Sequence, residues 1–481
     1  MTETVADPDL WGHVRFGSDM LQSGDLLRQD DYSYTSGGQE WINHEWLSEL
    51  ILALTFQVGG EFGLLALKLI VALTLFAALY LHLLERGLSS IRAGLMLLVA
   101  YYPLSVGVLT VRPQLFTYLG FLLVMLAMES AAEGRWGWLL GLPVLFAVWV
   151  NLHGGFLIGV FVLGVWATVV LFERLRGGVS TRRVPMWALP GCLLASLLAT
   201  LLNPYGVQLW EFLLRTATAP RPEITEWGPI ELLTLDGAAY LVITAVTAIA
   251  VIRKPPSKGL WIVYALMAPL PILAVRHLPL FIIAALVISA RPLARLWNGA
   301  GARNPTTHDQ PLWLSTGVWG VAVVMALLSL GRLEGVVIDK DQQPLPSRAV
   351  STLQASGARG NLAVFFDWGE YAIWHLAPNF PVSWDGRRET VYSEEIHSQN
   401  LNFFLGRGDW EELLREHETD LVLTPVGLPV YNLLEEKRPW IVVYEDRFAA
   451  VFAREGSSQA ERILSTRAPD LPPDGDGLHF P

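Results

Sequence analysis

Through the middle of this sequence, apolar residues run continuously instead of recurring at helical or strand spacing. A helix that crosses a membrane needs about 20 mostly apolar residues, within a range of about 17–25. Ten stretches between residues 62 and 331 are candidates: 63–84, 93–110, 113–131, 136–152, 154–173, 186–203, 237–252, 259–275, 278–292 and 312–331. The apolar stretch 46–58 is too short and predicts an interfacial or re-entrant helix. Beyond residue 332 the pattern changes. Short strand-like runs at 361–366, 420–424, 440–444 and 449–452 are joined by a helical stretch at 409–417. That alternation predicts a small α/β domain. The last residues, from about 456, are rich in Ser, Pro, Asp and Gly and predict a disordered tail. The expected fold class is therefore mainly α: a polytopic helical membrane domain of about 10 spans with a C-terminal α/β domain. The segments are 1–61, 62–331, 332–455 and 456–481.

Composition agrees. Of 481 residues, 52% are hydrophobic and 16% charged, against about a quarter charged in soluble domains. The net charge of −11 repels phosphate backbones, so nucleic acid is not a partner. Split by region, the charge is −9 over 1–61, +8 over 62–331 and −10 over 332–481. The single cysteine, Cys192, excludes an internal disulfide. The first 60 residues hold no apolar signal-peptide core. Either the first span translocates this segment, or a further helix precedes residue 1.

Lys and Arg favour cytoplasmic loops. One set of alternate loops carries 13 of them: Arg86, Arg92, Arg135, Arg174, Arg176, Arg182, Arg183, Arg253, Lys254, Lys258, Arg291, Arg295 and Arg303. The other set carries four, Arg112, Arg215, Arg221 and Arg276. This asymmetry predicts that both acidic ends face the extracytoplasmic side. The unusual polar groups then fall on that side too: Asp7-Pro8-Asp9, Trp11 to Arg15, Asn43-His44-Glu45, Arg112, Asn151-Leu152-His153, Asn203-Pro204, Glu226-Trp227 and Arg276-His277. Ionisable groups at membrane depth are costly and usually functional, so their joint placement points to a site at the outer surface.

Each has a plainer reading. Asp7 and Asp9 read equally as solvated acids, His153 as a turn former and Asn203-Pro204 as a helix stop. Arg112 reads as a headgroup anchor, and His44 and Glu45 as a helix cap.

Asp7 to His13, with Gly24, Asp31-Tyr32-Ser33 and Trp41 to Leu47, resembles the first outer loop of bacterial GT-C-type glycosyltransferases. The nearest group is the Rgt-like lipopolysaccharide-core transferases. Arg112-Pro113-Gln114, Asn151 to Gly154, Asn203 to Gly206, Trp368 to Tyr371 and Asp385-Gly386-Arg387 fit the same group. The resemblance implies a GT-C-like integral protein of the bacterial inner membrane. It implies transfer of a sugar from a polyprenyl-phosphate donor on the extracytoplasmic side, with Asp7 and Asp9 as the carboxylate signature. Two departures stand out: only six residues precede Asp7, and Gly12 stands where relatives often carry a second Trp.

Chemistry runs parallel. Glycosyl transfer needs a base for the acceptor hydroxyl, which Asp7, Asp9 or Glu45 can supply. Pro8 argues for an extended Asp7–Asp9 segment, with both side chains on one side. The candidate cofactor is a divalent cation, which such a pair can hold through oxygen ligands. The leaving lipid phosphate needs fixed positive partners, which Arg112 and Arg276 can provide. His13, Arg15, His44, Asn151, His153, His277 and Arg387 are further substrate-binding candidates. Expected partners are the lipid-linked sugar, a glycan, lipid or protein acceptor, and membrane lipids. The rival readings are a transporter or flippase, which calls for internal repeats and midplane charges, and a non-catalytic subunit of surface-polysaccharide assembly.

Overall fold

The computed structural model describes residues 4–108, 110–177, 185, 187–216, 225–298, 335–338 and 344–481. They divide into two compact units, Ala66–Leu333 and Glu3–Leu65 with Glu334–Pro481. The candidate span 312–331, Arg182, Arg183, Arg221 and Arg303 lie outside the described residues.

The chain opens with strand β1 (Thr4–Val5) and helix α1 (Pro8–Ser23). Pro8 keeps Asp7 extended, at φ −78° and ψ 141°, and its own fixed φ suits the first helical position. The Asp7 carboxylate accepts the Asp9 N–H at 3.1 Å, a helix N-cap. This corrects the extended reading of Asp7–Asp9: proline stops helix before itself and starts it after. Helix α2 (Trp46–Glu85) is broken at Gly60, whose φ of 57° and ψ of −148° are open to glycine alone. The short apolar stretch 46–58 thus forms the arm before that break.

The unit Ala66–Leu333 holds α3 (Ser90–Val108), α4 (Gln114–Ala132), α5 (Leu142–Trp149), α6 (Phe156–Leu175), α7 (Ala188–Ala199), α8 (Val207–Thr216), α9 (Leu235–Arg253), α10 (Lys258–Met267), α11 (Leu270–Leu273) and α12 (Leu278–Asn298). Among the described residues, five helices are long and apolar enough to cross a membrane: Trp46–Glu85, Gln114–Ala132, Phe156–Leu175, Leu235–Arg253 and Val275–Asn298. Shorter apolar helices, Trp136–Trp149, Ala188–Ala199 and Lys258–Leu273, stand where further spans are expected. Helix α12 is the core, packing on α3, α4, α9 and α10, with Phe281 to Val287 fully buried. Small residues set the spacing elsewhere. A Cβ on Gly120 or Gly159 would come within 2.8 or 2.6 Å of the Trp149 ring, so both glycines are where α4 and α6 admit that indole.

In the other unit, β2 (Val336–Val337) pairs in parallel with β1, Thr4 opposite Val336. There follow α13 (Ser347–Ser356), β3 (Leu362–Val364), α14 (Gly369–Leu376), α15 (Glu394–Leu405), α16 (Glu412–Glu416), β4 (Leu421–Pro425), α17 (Pro429–Glu435), β5 (Trp440–Glu445), β6 (Ala449–Arg454) and α18 (Ser458–Leu464). The sheet order is β3-β4-β6-β5, with β3 and β4 parallel and the other pairs antiparallel. The four strand-like runs of the sequence all become strands. The tail differs from its polar composition. Ser457 caps α18, Asp474 is buried against Arg447, and Phe480 packs on Trp11, Phe56 and Trp374. Cap and aromatic contacts order what composition alone reads as disorder.

Candidate active site

Asp9, Gly12 and His13 share one face of α1, at i, i+3 and i+4. Helix α14 packs against α1 and brings up Glu370 from its first turn. The Glu370 Oε2 accepts the Gly12 N–H at 3.1 Å. A Cβ on Gly386 would lie 2.5 Å from Asp9 Oδ1 and 2.8 Å from Glu370 Oε1. The two carboxyl groups therefore meet at one patch of glycine backbone. Burial, then the charges of Asp9 and Asp385, raises the Glu370 pKa well above the usual carboxylate range, against an opposing pull from Arg387. Glu370 thus favours its neutral form beside Asp9.

His13 sits among further carboxylates. Its Nδ1 is 3.6 Å from Glu49 Oε1 and its Nε2 is 4.0 Å from Glu45 Oε2. Asn43 donates to Glu49 at 2.6 Å, and His44 Nε2 lies 3.6 Å from Glu45 Oε1. Burial alone lowers the His13 pKa, but Glu49, Glu45 and Asp9 outweigh it and raise the value from 6.5 to about 9. His13 is therefore a cation at neutral pH. The unit thus gathers the Asp9 and Glu370 carboxyls and the His13 imidazole in one cluster.

Other candidates serve the fold. Arg15 donates to Asp19 at 2.8 Å and to the Trp374 carbonyl at 3.3 Å. Arg387 is buried. It donates to both oxygens of Asp385, at 2.8 and 2.7 Å, and to Asp30 at 2.7 Å. Its guanidinium also lies over Phe16, Tyr32 and Trp41, so its donors are already committed. Asp7 caps α1, while Asp9 lies against Gly386. Among the described residues no group of three or more His, Cys, Asp or Glu is arranged to hold a metal ion.

In the helical unit, Arg112 and Arg276 bracket one carboxylate. Arg112 Nη1 is 3.6 Å from Glu226 Oε2, and Arg276 Nη1 is 3.8 Å from Glu226 Oε1. Arg276 also covers the Trp227 ring at 4.2 Å. His277 follows in a short 3-10 turn, Val275–His277. His153 Nδ1 accepts the Gly155 N–H at 2.8 Å and lies 2.9 Å from the Thr117 hydroxyl. Asn151 donates to the Ala147 and Leu202 carbonyls, and Asn203 accepts the Tyr205 N–H within its turn. Both asparagines hold helix ends in place.

Sequence reasoning did not single out Glu49 or Asp30, and it matched the segments of Glu370 and Asp385 to the family without giving either residue a role. Glu49 had a signal, since it follows Glu45 by one helical turn. Asp30 had none, because its partner lies 357 residues away.

No protein-family model matches the chain, and no curated protein matches it. Solved structures do. The apo oligosaccharyltransferase of Archaeoglobus fulgidus is 11% identical with a TM-score of 0.54, covering 88% of this chain and 66% of its own. The AglB oligosaccharyltransferase from that organism, with an inhibitory peptide and a dolichol-phosphate, is 12% identical with a TM-score of 0.56. This chain spans 66% of its length. ArnT from Cupriavidus metallidurans bound to undecaprenyl phosphate is 14% identical, with a TM-score of 0.53 and 95% of both chains covered. At such identities the likeness is one of fold, and the chain has the fold of the GT-C-type glycosyltransferases.

Proposed function

We propose that this chain is an integral membrane glycosyltransferase that takes a sugar from a polyprenyl-phosphate donor. The observation that carries the reading is the fold, matched along 95% of both chains to a protein bound to undecaprenyl phosphate. The 13-to-4 partition of basic residues supports transfer on the extracytoplasmic side of a bacterial inner membrane.

Asp9 is the base. It takes the proton of an acceptor hydroxyl, on a glycan, lipid or protein, while that oxygen bonds to the anomeric carbon. The bond from that carbon to the donor phosphate breaks, and polyprenyl phosphate leaves. Asp7 fixes the turn that presents Asp9. Glu45 and Glu49 hold His13 charged, and His13 in turn favours the Asp9 anion. Arg112 and Arg276 meet the charge developing on the leaving phosphate, with Trp227 holding Arg276 in place. A divalent cation has no assigned step.

The test is transfer from a radiolabelled polyprenyl-phosphate sugar in proteoliposomes. Asp9→Asn should lose about 10²–10⁴-fold in turnover. Equal turnover by the two proteins removes Asp9 as base, and no turnover by the wild type from any such donor sinks the transferase reading.

A further inference from the structure

The helical unit carries a second feature, far from Arg112 and Arg276. Helices α3 and α9 pack together and on α12. Between α3 and α9 runs an open groove of about 240 Å³, walled by Leu95, Met96 and Val99 on one side and Val242, Ile243 and Val246 on the other. Leu95 and Val242 are half exposed, at 57% and 49%, so the groove opens outward along the helices. Its lining is hydrocarbon throughout. Arg92 and Trp297 complete that lining, and the Arg92 guanidinium lies beside the groove, 5.6 Å from the Trp297 ring centroid.

Arg92 is held there. Its Nη1 donates to Asn298 Oδ1 at 2.7 Å, and Asn298 Nδ2 donates to the Gly87 carbonyl at 2.9 Å. The ends of α2, α3 and α12 are tied by this relay. At the same end, Arg86 is paired with Glu129 and Glu133, and Arg291 with Glu133 at 2.6 Å. Those arginines are matched by carboxylates. Arg92 is matched by a neutral amide and an indole, which leaves its positive charge available to an anion beside the groove. Helix α4 separates this end from Arg112: 19 residues at 1.5 Å each is about 28 Å, the thickness of a hydrocarbon core.

We propose that this groove is a binding site for an anionic glycerophospholipid of the leaflet at the arginine-rich end. One acyl chain lies between α3 and α9, and the headgroup phosphate meets Arg92. Basic pockets between membrane helices recognise acidic headgroups in this way, and tryptophan prefers the same interfacial depth. The occupant is bulk lipid and not the proposed donor, because the donor phosphate is assigned to the opposite end of α4. The volume, below the roughly 300–1,000 Å³ of ordinary ligand pockets, suits one chain segment.

Native mass spectrometry of the full-length, delipidated protein tests this without any activity readout. It is titrated with phosphatidylglycerol, with phosphatidylcholine, and with undecaprenyl phosphate as competitor. Wild type should retain phosphatidylglycerol at one saturable site in preference to phosphatidylcholine. Arg92→Gln should weaken that binding about fivefold, and Arg92→Lys should keep most of it. Val246→Trp fills the groove without touching the Arg92–Asn298 bond, so it should abolish the site even if Arg92→Gln fails to fold. Equal retention of both phospholipids by wild type overturns the proposal. So does unchanged phosphatidylglycerol binding in Arg92→Gln or Val246→Trp, or preferential uptake of undecaprenyl phosphate at that site. None of these results bears on sugar transfer, so the two readings fail separately.

Discussion

The main-chain N–H of Gly12 donates to the carboxyl of Glu370 at 3.1 Å across 358 residues of sequence. A Cβ on Gly12 would lie 2.1 Å from Glu370 Oε2, so the contact requires a hydrogen at that position. Gly12→Ala and Gly386→Ala should each destabilise the protein by about 1–3 kcal/mol through overpacking, read as a lower Tm in detergent. Glu370→Gln keeps an acceptor and should stay near wild type. Glu370→Ala strands the N–H and should lose about 1–3 kcal/mol.

His13 sets a pH dependence. Its folded pKa, about 9, lies above the unfolded 6.5. A raised base contributes stability that is complete below about 6.5 and is lost as pH climbs through about 9. The Tm should therefore fall between those values, and His13→Gln should flatten that limb. A variant with the wild-type slope would show that the carboxylates do not hold the imidazolium. Glu370 is a raised acid and pushes stability the same way, from its ordinary 4.5 upward, so the difference between wild type and variant isolates His13.

Arg387 is buried with two aspartates. Burial opposes its charge, but Asp385, Tyr392 and Asp30 raise its pKa. Arg387→Ala would leave Asp385 and Asp30 buried without a counter-ion, at a cost of about 3–5 kcal/mol. Chemical denaturation should show this loss. A cost near zero would mean that water replaces the guanidinium.

Glu226 competes with any anion for Arg112 and Arg276. Under the proposed function, Glu226→Gln should lower the KM for the lipid-phosphate donor. Arg112→Gln should raise it about tenfold or more, the loss of one hydrogen bond to a charged group. Donor-concentration series on the two variants check the sign. Opposite movements would place the donor phosphate elsewhere.

What could be read from the sequence was local. Strands β3 to β6 were legible because their apolar, β-branched runs end at polar turns. The membrane helices were legible because few residues interrupt them, although α5, α7 and α10 came out short. Asp7 and Asp9 were found as residues and misjudged as a pair, because Pro8 acts in opposite directions on its two neighbours. Arg387 was legible as part of an Asp-Gly-Arg turn and as a substrate-binding candidate, without its contacts to Asp30 and the aromatic rings. Asp385 is its neighbour in the chain, but Asp30 and the rings of Phe16, Tyr32 and Trp41 come from segments that no local pattern joins to it, and Glu370 likewise meets Gly12 across 358 residues. Pairings of this range follow from the packing of α14 on α1, which only the complete fold supplies.

That range has a consequence in time. Strand β1 pairs with Val336, and α1 packs against α14. Both partners are translated after the helical unit. At about 5–20 residues per second, α1 waits roughly 20–70 s for α14. Through that interval Trp11, buried in the finished fold against Tyr371 and Phe480, lacks both of those partners. Folding of the segment that bears Asp9 is therefore a late event in biogenesis. Shortening the chain before α14 should leave that segment open to proteolysis even where the membrane helices have inserted.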